Sequence, residues 1–198
     1  MPELKICGVT EVDFARYAAE RQVDYLGLIF AESSPRFIDC ATAGQIARAV
    51  RAVGNKTKLV GVFTTQSLNR IKEIASSVKL DVIQLHGEYS KYEVESIKAL
   101  GYEVWALYCG KEILGDATLI DGRRGNESKL ADWKLATRLK GENRRVILAG
   151  SIGLDNIAEA IDTGADIIDV SSSIESSPGR KNREAFDKFL AAFAAASQ

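Results

Sequence analysis

The chain has 198 residues, 46% of them hydrophobic and 27% charged, which suits one soluble globular domain over residues 1–198. Its 26 lysines and arginines nearly cancel 27 acidic residues, so neither nucleic acid nor a membrane surface is an expected partner. Apolar runs fall short of the roughly 20 residues that span a bilayer, and Pro2-Glu3-Leu4-Lys5 reads as no signal peptide.

The first expected strand, residues 4–7, ends at Cys7-Gly8, and a helix over 11–21 starts at once with Thr10 as its expected N-cap. Further strands are expected at 25–30, 58–63, 81–85, 102–107, 117–120, 145–149 and 166–170. Helices are expected at 41–53, 67–77, 90–100, 132–139, 154–163 and 182–196, the sixth capped by Asp155 or a neighbour. Val146-Ile147-Leu148-Ala149 is continuously apolar, as a parallel strand covered on both faces should be. In the last helix Phe186, Phe189, Leu190 and Phe193 recur at i, i+3, i+4 and i+7 and make one apolar stripe. Eight such units predict a (β/α)8 TIM barrel in preference to a doubly wound open sheet. The fifth unit is shortened, because residues 108–117 leave room for one helical turn at most.

Ligands bind at the carboxyl ends of barrel strands, so residues there are candidates for chemistry. Cys7 supplies a thiol able to act as base or nucleophile beside positive charge; the alternative is a small buried hydrophobe. Asp121 directly follows an apolar strand and is a general-acid candidate, the alternative being a turn-forming Asp-Gly. Arg36, in Ser34-Pro35-Arg36-Phe37, carries a fork suited to a carboxylate, or is a solvated loop residue. His86 ends the fourth strand and is a substrate-binding candidate facing a polar pocket, or serves structurally. Gly150-Ser151 and Ser172-Ser173 follow strands seven and eight, the loops where barrels hold phosphate through backbone N–H groups. Asp169, within the eighth strand, is expected to point inward or orient a neighbour, without chemistry of its own. Cys7, Cys40 and Cys109 form no C-x-x-C pair and no disulfide framework, which points to a reducing cytoplasm. With His86 the only histidine, no metal site of the usual His/Cys type is expected.

The strings KICGVT (5–10), SPRF (34–37), VGVF (60–63), VIQLHGE (82–88), LAGSI (148–152) and IDVSSSIE with PGRK (168–181) resemble phosphoribosylanthranilate isomerases of tryptophan biosynthesis. The resemblance runs with gaps from residue 4 to about residue 183. It implies a TIM barrel that performs an Amadori rearrangement of N-(5-phosphoribosyl)anthranilate without metal or organic cofactor. It further implies Cys7 as general base, Asp121 as general acid, Arg36 as holder of the anthranilate carboxylate, and the Gly150-Ser151 and Ser172-Ser173 turns as phosphate loops. The chain differs from the family pattern at Gly122-Arg123-Arg124-Gly125, where a glycine-rich segment is usual and where Arg123 or Arg124 would supply charge. It differs also at Gly150-Ser151 for Gly-Gly, at Ser171-Ser172-Ser173 for Ser-Ser-Gly, and in lacking a lysine in Trp105-Ala106-Leu107. The rival readings are a related phosphosugar barrel, such as indoleglycerol-phosphate synthase or ketopentose-phosphate epimerase, and a catalytically silent phosphate-binding barrel. A monomer is the default expectation, with a homodimer possible.

Overall fold

The computed structural model describes residues 1–110, 112–122 and 132–198. Eight parallel strands close into a barrel: β1 (Glu3–Cys7), β2 (Tyr25–Ile29), β3 (Lys58–Phe63), β4 (Val82–Leu85), β5 (Glu103–Leu107), β6 (Ala117–Asp121), β7 (Val146–Ala149) and β8 (Ile167–Val170). Each strand bonds to the next in chain order, and β8 returns to β1 through pairs such as Lys5 with Asp169. The helices are α1 (Val12–Glu20), α2 (Cys40–Val53), α3 (Leu68–Val78), α4 (Lys91–Lys98), α5 (Trp133–Gly141), α6 (Ile157–Asp162) and α7 (Arg183–Ala196). The expected TIM barrel is therefore the fold. No helix among the described residues is long and apolar enough to cross a membrane.

Strand alternation divides the apolar residues into two layers. Tyr25, Val60, Val82, Trp105, Leu119, Ile147 and Ile167 fill the barrel interior as one cluster. Leu4, Ile6, Leu26, Leu28, Ile83 and Ile168 belong to the other, which runs beneath the helices. The α7 stripe behaves as its spacing predicts: Phe186, Phe189 and Phe193 are buried, and Phe186 meets Phe14 of α1 edge-on at 5.4 Å. Asp39 caps α2, and a Ser90/Glu93 capping box opens α4. Between β5 and β6 no helix occurs among the described residues. Asp116 instead spans the connection, its Oδ2 accepting from Val104 N at 2.9 Å.

One local expectation needs correction, and two local features add detail. Thr10 does not cap α1; Glu11 holds the N-cap position without a side-chain cap, and the Thr10 hydroxyl donates to the carbonyl of Gly179. Of Asp155 and its neighbours, Asn156 stands at the N-cap of α6, and its Oδ1 accepts from Gly153 N at 2.8 Å rather than from the helix. After β8 the chain makes a 3₁₀ turn (Ser172–Ile174) and then an antiparallel hairpin, β9 (Glu175–Ser177) with β10 (Arg180–Lys181), turned by Ser177-Pro178-Gly179. A composition of serine, proline and glycine announces a turn but not the strands on either side of it.

The amino-terminal end of the barrel is shut by charge. Arg145 holds Glu3 at 2.8 Å and Glu103 at 2.6 Å, and donates to the Tyr25 hydroxyl at 3.0 Å. Burial pushes the Tyr25 phenol up to about 12 against the opposing pull of Arg145, so that hydroxyl keeps its proton. Above this network the Tyr25 and Trp105 rings meet edge-to-face at 4.9 Å and complete the plug.

Candidate active site

The opposite end of the barrel is open. Cys7, Arg36, His86, Asp121, Gly150, Ser151 and Ser172 line one cavity there, with about 630 Å³ of empty space. Seven of the eight site residues expected from the sequence thus converge. Ser173 does not line the cavity: its Cβ lies 3.4 Å from where a Cβ on Gly153 would stand, so it sits against the loop after β7, and Ser171 is the serine that lines the cavity beside Ser172. Arg123 and Arg124 lie outside the described residues.

Cys7 ends β1 with its side chain turned inward. Its Sγ needs the space above Gly27, its register partner on β2, because a Cβ at Gly27 would stand 2.8 Å from that sulfur. The thiol is 9% exposed, enough to reach the cavity and little enough to feel burial. Burial pushes its pKa above the ordinary value, with Lys5 and Lys181 pulling down and Asp169 adding to the rise.

Lys5 lies two residues before Cys7 and so shares its inward face. It is fully buried, and its Nζ contacts Asp169 Oδ2 at 2.5 Å. Burial works against the ammonium, but Asp169 and Cys7 outweigh it and hold the pKa above normal. The other carboxylate oxygen of Asp169, a cavity-lining residue, is buried and receives no hydrogen bond among the described residues; the same holds for Gln84 Oε1. Sequence reasoning passed over Lys5 and Gln84, and it kept Asp169 out of the chemistry. The available signal was alternation: polar residues at inward positions of apolar strands must face each other or the cavity.

Asp121 ends β6. On the short way round the closed barrel, β7 and β8 separate it from β1, so the carboxyl and the thiol approach the cavity from different sides. His86 Nε2 lies 3.2 Å from Asp121 Oδ2, and the His86 backbone N–H is pinned to Phe63 O at 2.7 Å. Gly150 follows β7 with φ +95° and Ser151 with φ +53°, two successive left-handed residues. A Cβ at Gly150 would come within 2.8 Å of Asp121 Oδ1, so this glycine lets the turn approach the carboxyl. Asn156 braces the turn by donating to Ser151 O at 3.0 Å. Turns of this kind direct backbone N–H groups at anions.

Arg36 reaches the cavity from the loop after β2, but part of its fork is already engaged. Nε and Nη2 hold Glu175 of β9 at 2.8 and 2.6 Å. Glu175 was not among the residues singled out from the sequence, since 139 positions separate it from Arg36. Among the described residues no group of three or more His, Cys, Asp and Glu side chains is arranged to hold a metal ion.

Residues 4–192 match the protein-family model described as N-(5′-phosphoribosyl)anthranilate (PRA) isomerase. A relative from Geobacter sp. (strain M21), named N-(5′-phosphoribosyl)anthranilate isomerase, is 35% identical over 96% of this chain and 97% of its own length. The phosphoribosyl anthranilate isomerase structure from Thermus thermophilus superposes with a TM-score of 0.84 at 28% identity, covering 98% of both chains. A phosphoribosyl anthranilate isomerase solved in complex with reduced 1-(o-carboxyphenylamino)-1-deoxyribulose 5-phosphate has a TM-score of 0.84 at 26% identity, over 98% of this chain and all of that one.

Proposed function

The chain belongs to the N-(5′-phosphoribosyl)anthranilate isomerase family, and from that premise we propose that it performs the isomerase step of tryptophan biosynthesis with Cys7 as general base and Asp121 as general acid. The observation that carries this reading is the meeting of a thiol and a carboxyl, from β1 and β6, in one cavity beside an anion-binding turn. Asp121 gives its proton to the furanose ring oxygen of the substrate as the C1–O bond breaks and the anilino nitrogen becomes an iminium. Cys7 first gives up its own thiol proton to solvent, a loss that the charges of Lys5 and Lys181 favour against burial; the minority thiolate then takes the proton from C2, and the electron pair moves toward the iminium nitrogen. The resulting enolamine tautomerises to the 1-deoxyribulose product. The substrate's own nitrogen is the electron sink, which is why a base of moderate strength suffices.

His86 orients the Asp121 carboxyl. Gly150, Ser151 and Ser172 receive the phosphate, and Arg36 receives the anthranilate carboxylate. The test is loss of substrate fluorescence with freshly prepared N-(5-phosphoribosyl)anthranilate. Cys7→Ala and Asp121→Asn should each lower kcat by ~10²–10⁴-fold, the usual worth of one positioned acid or base. Turnover by either variant at the wild-type rate removes that residue from the mechanism.

A further inference from the structure

We propose that Glu175 is a positioning residue: it fixes the direction of the Arg36 guanidinium and, balanced by Lys181, gives the site its preference for an aryl amine that carries a carboxylate. The inference rests on the reading of Arg36 as the carboxylate holder. Glu175 is absent from the cavity lining, so it acts on a ligand only through the arginine.

The geometry is specific. Glu175 takes the Nε–Nη2 edge of Arg36 and leaves the Nη1 end, which has no acceptor among the described residues, for a second carboxylate. The aliphatic stem of Arg36 lies over Gly8, with Cβ and Cγ each 3.2 Å from the place a Cβ there would occupy. Stem and edge are both fixed, so little rotamer freedom remains to be lost on binding.

Charge balance makes the arrangement work. A lone glutamate behind Arg36 would neutralise it and repel an incoming anion. Lys181 Nζ lies 2.8 Å from Glu175 Oε1, and its side chain is 1% exposed. Lys181 is itself anchored to Ser171 O at 3.0 Å. Burial alone would raise the Glu175 carboxyl, but Arg36 and Lys181 together hold it below its ordinary value, so it stays ionised. Burial lowers the Lys181 pKa and Glu175 opposes that fall; with Lys181 protonated, two cations and one anion leave the cluster one net positive charge, presented to the cavity by Arg36 and matched to one carboxylate.

The experiment compares kcat and KM for N-(5-phosphoribosyl)anthranilate and for N-(5-phosphoribosyl)aniline, which lacks the carboxylate. The ratio of the two kcat/KM values is independent of how much of a preparation is folded. Glu175→Gln should lower that ratio about tenfold or more, chiefly through KM for the anthranilate compound. Glu175→Asp, which keeps the charge and shortens the reach, should fall between wild type and Glu175→Gln and serves if the glutamine variant cannot be purified. Arg36→Ala should lower the ratio by at least as much, and adding Glu175→Gln to it should change the ratio less than about twofold. If Arg36→Ala lowers the ratio while both Glu175 variants keep it, the positioning role is wrong and the role of Arg36 stands. If Arg36→Ala keeps the wild-type ratio, the assignment of Arg36 fails and this inference with it.

Discussion

The ammonium of Lys5 and the carboxylate of Asp169 meet at 2.5 Å on adjacent strands, one inward position below the thiol of Cys7. Neither charge is well solvated, so each is tolerable only because the other is present. The pair places fixed positive charge under the proposed base and fixed negative charge beside the cavity. Lys5→Met should therefore destabilise the protein by about 3–5 kcal/mol, the usual result of orphaning a buried charge. Lys5→Met with Asp169→Leu should recover most of that loss in urea melts at pH 7. An unchanged midpoint for the single variant would show that the pair contributes nothing to stability.

The same residues set the ionisation of Cys7. Burial raises the thiol and Lys5 opposes that rise, so in ligand-free protein the thiolate should appear only above the ordinary cysteine range. With Cys40 and Cys109 replaced by serine, alkylation by iodoacetamide should accelerate with a midpoint above that of an ordinary cysteine. Lys5→Met should move the midpoint higher still. A midpoint near 7 in the wild-type background would contradict the dominance of burial.

Gly27 sets the room available to the proposed base. A Cβ there would come within 2.8 Å of the Cys7 sulfur and 3.1 Å of its Cα, and backbone cannot yield as a flexible side-chain end does. Gly27→Ala should keep the far-ultraviolet dichroism of the native barrel while lowering kcat by about 10²-fold, as a misplaced reacting group does. Retention of full turnover would mean that the thiol has room the geometry denies it.

The closed end of the barrel offers the complementary experiment. Arg145→Met leaves Glu3 and Glu103 facing each other without their shared cation. It should lower stability by about 1–3 kcal/mol while kcat/KM per folded molecule is unaltered, because this end of a barrel serves the fold rather than the reaction. A large drop in kcat/KM at full folding would refute that division.

The eight strands and seven helices were legible from apolar runs, because each parallel strand must be covered on both faces and each helix must present one stripe. The shortened fifth connection was legible by length alone. Thr10 misled because a threonine ahead of a helix reads as a cap, whereas its hydroxyl is claimed by Gly179, far along the chain. Glu175 and Lys181 were invisible for a related reason: their meaning comes from Arg36, and only barrel closure brings the three together. Asp169 was visible as an anomaly in an apolar strand, but its partner Lys5 was hidden inside a motif noticed for its cysteine. Local chemistry could be read from the residues, and pairings across the barrel could not.

Among the described residues Arg145 and its acidic partners cork one end of the barrel, and the proposed reaction takes place at the opposite, open mouth, which the bound substrate would cover. On the proposed mechanism, a hydrogen lifted from the sugar by the sulfur is shielded from bulk solvent by the bound ligand. A deuterium placed at C2 should accordingly reach the product's C1 in part, instead of being fully exchanged for protium from the medium.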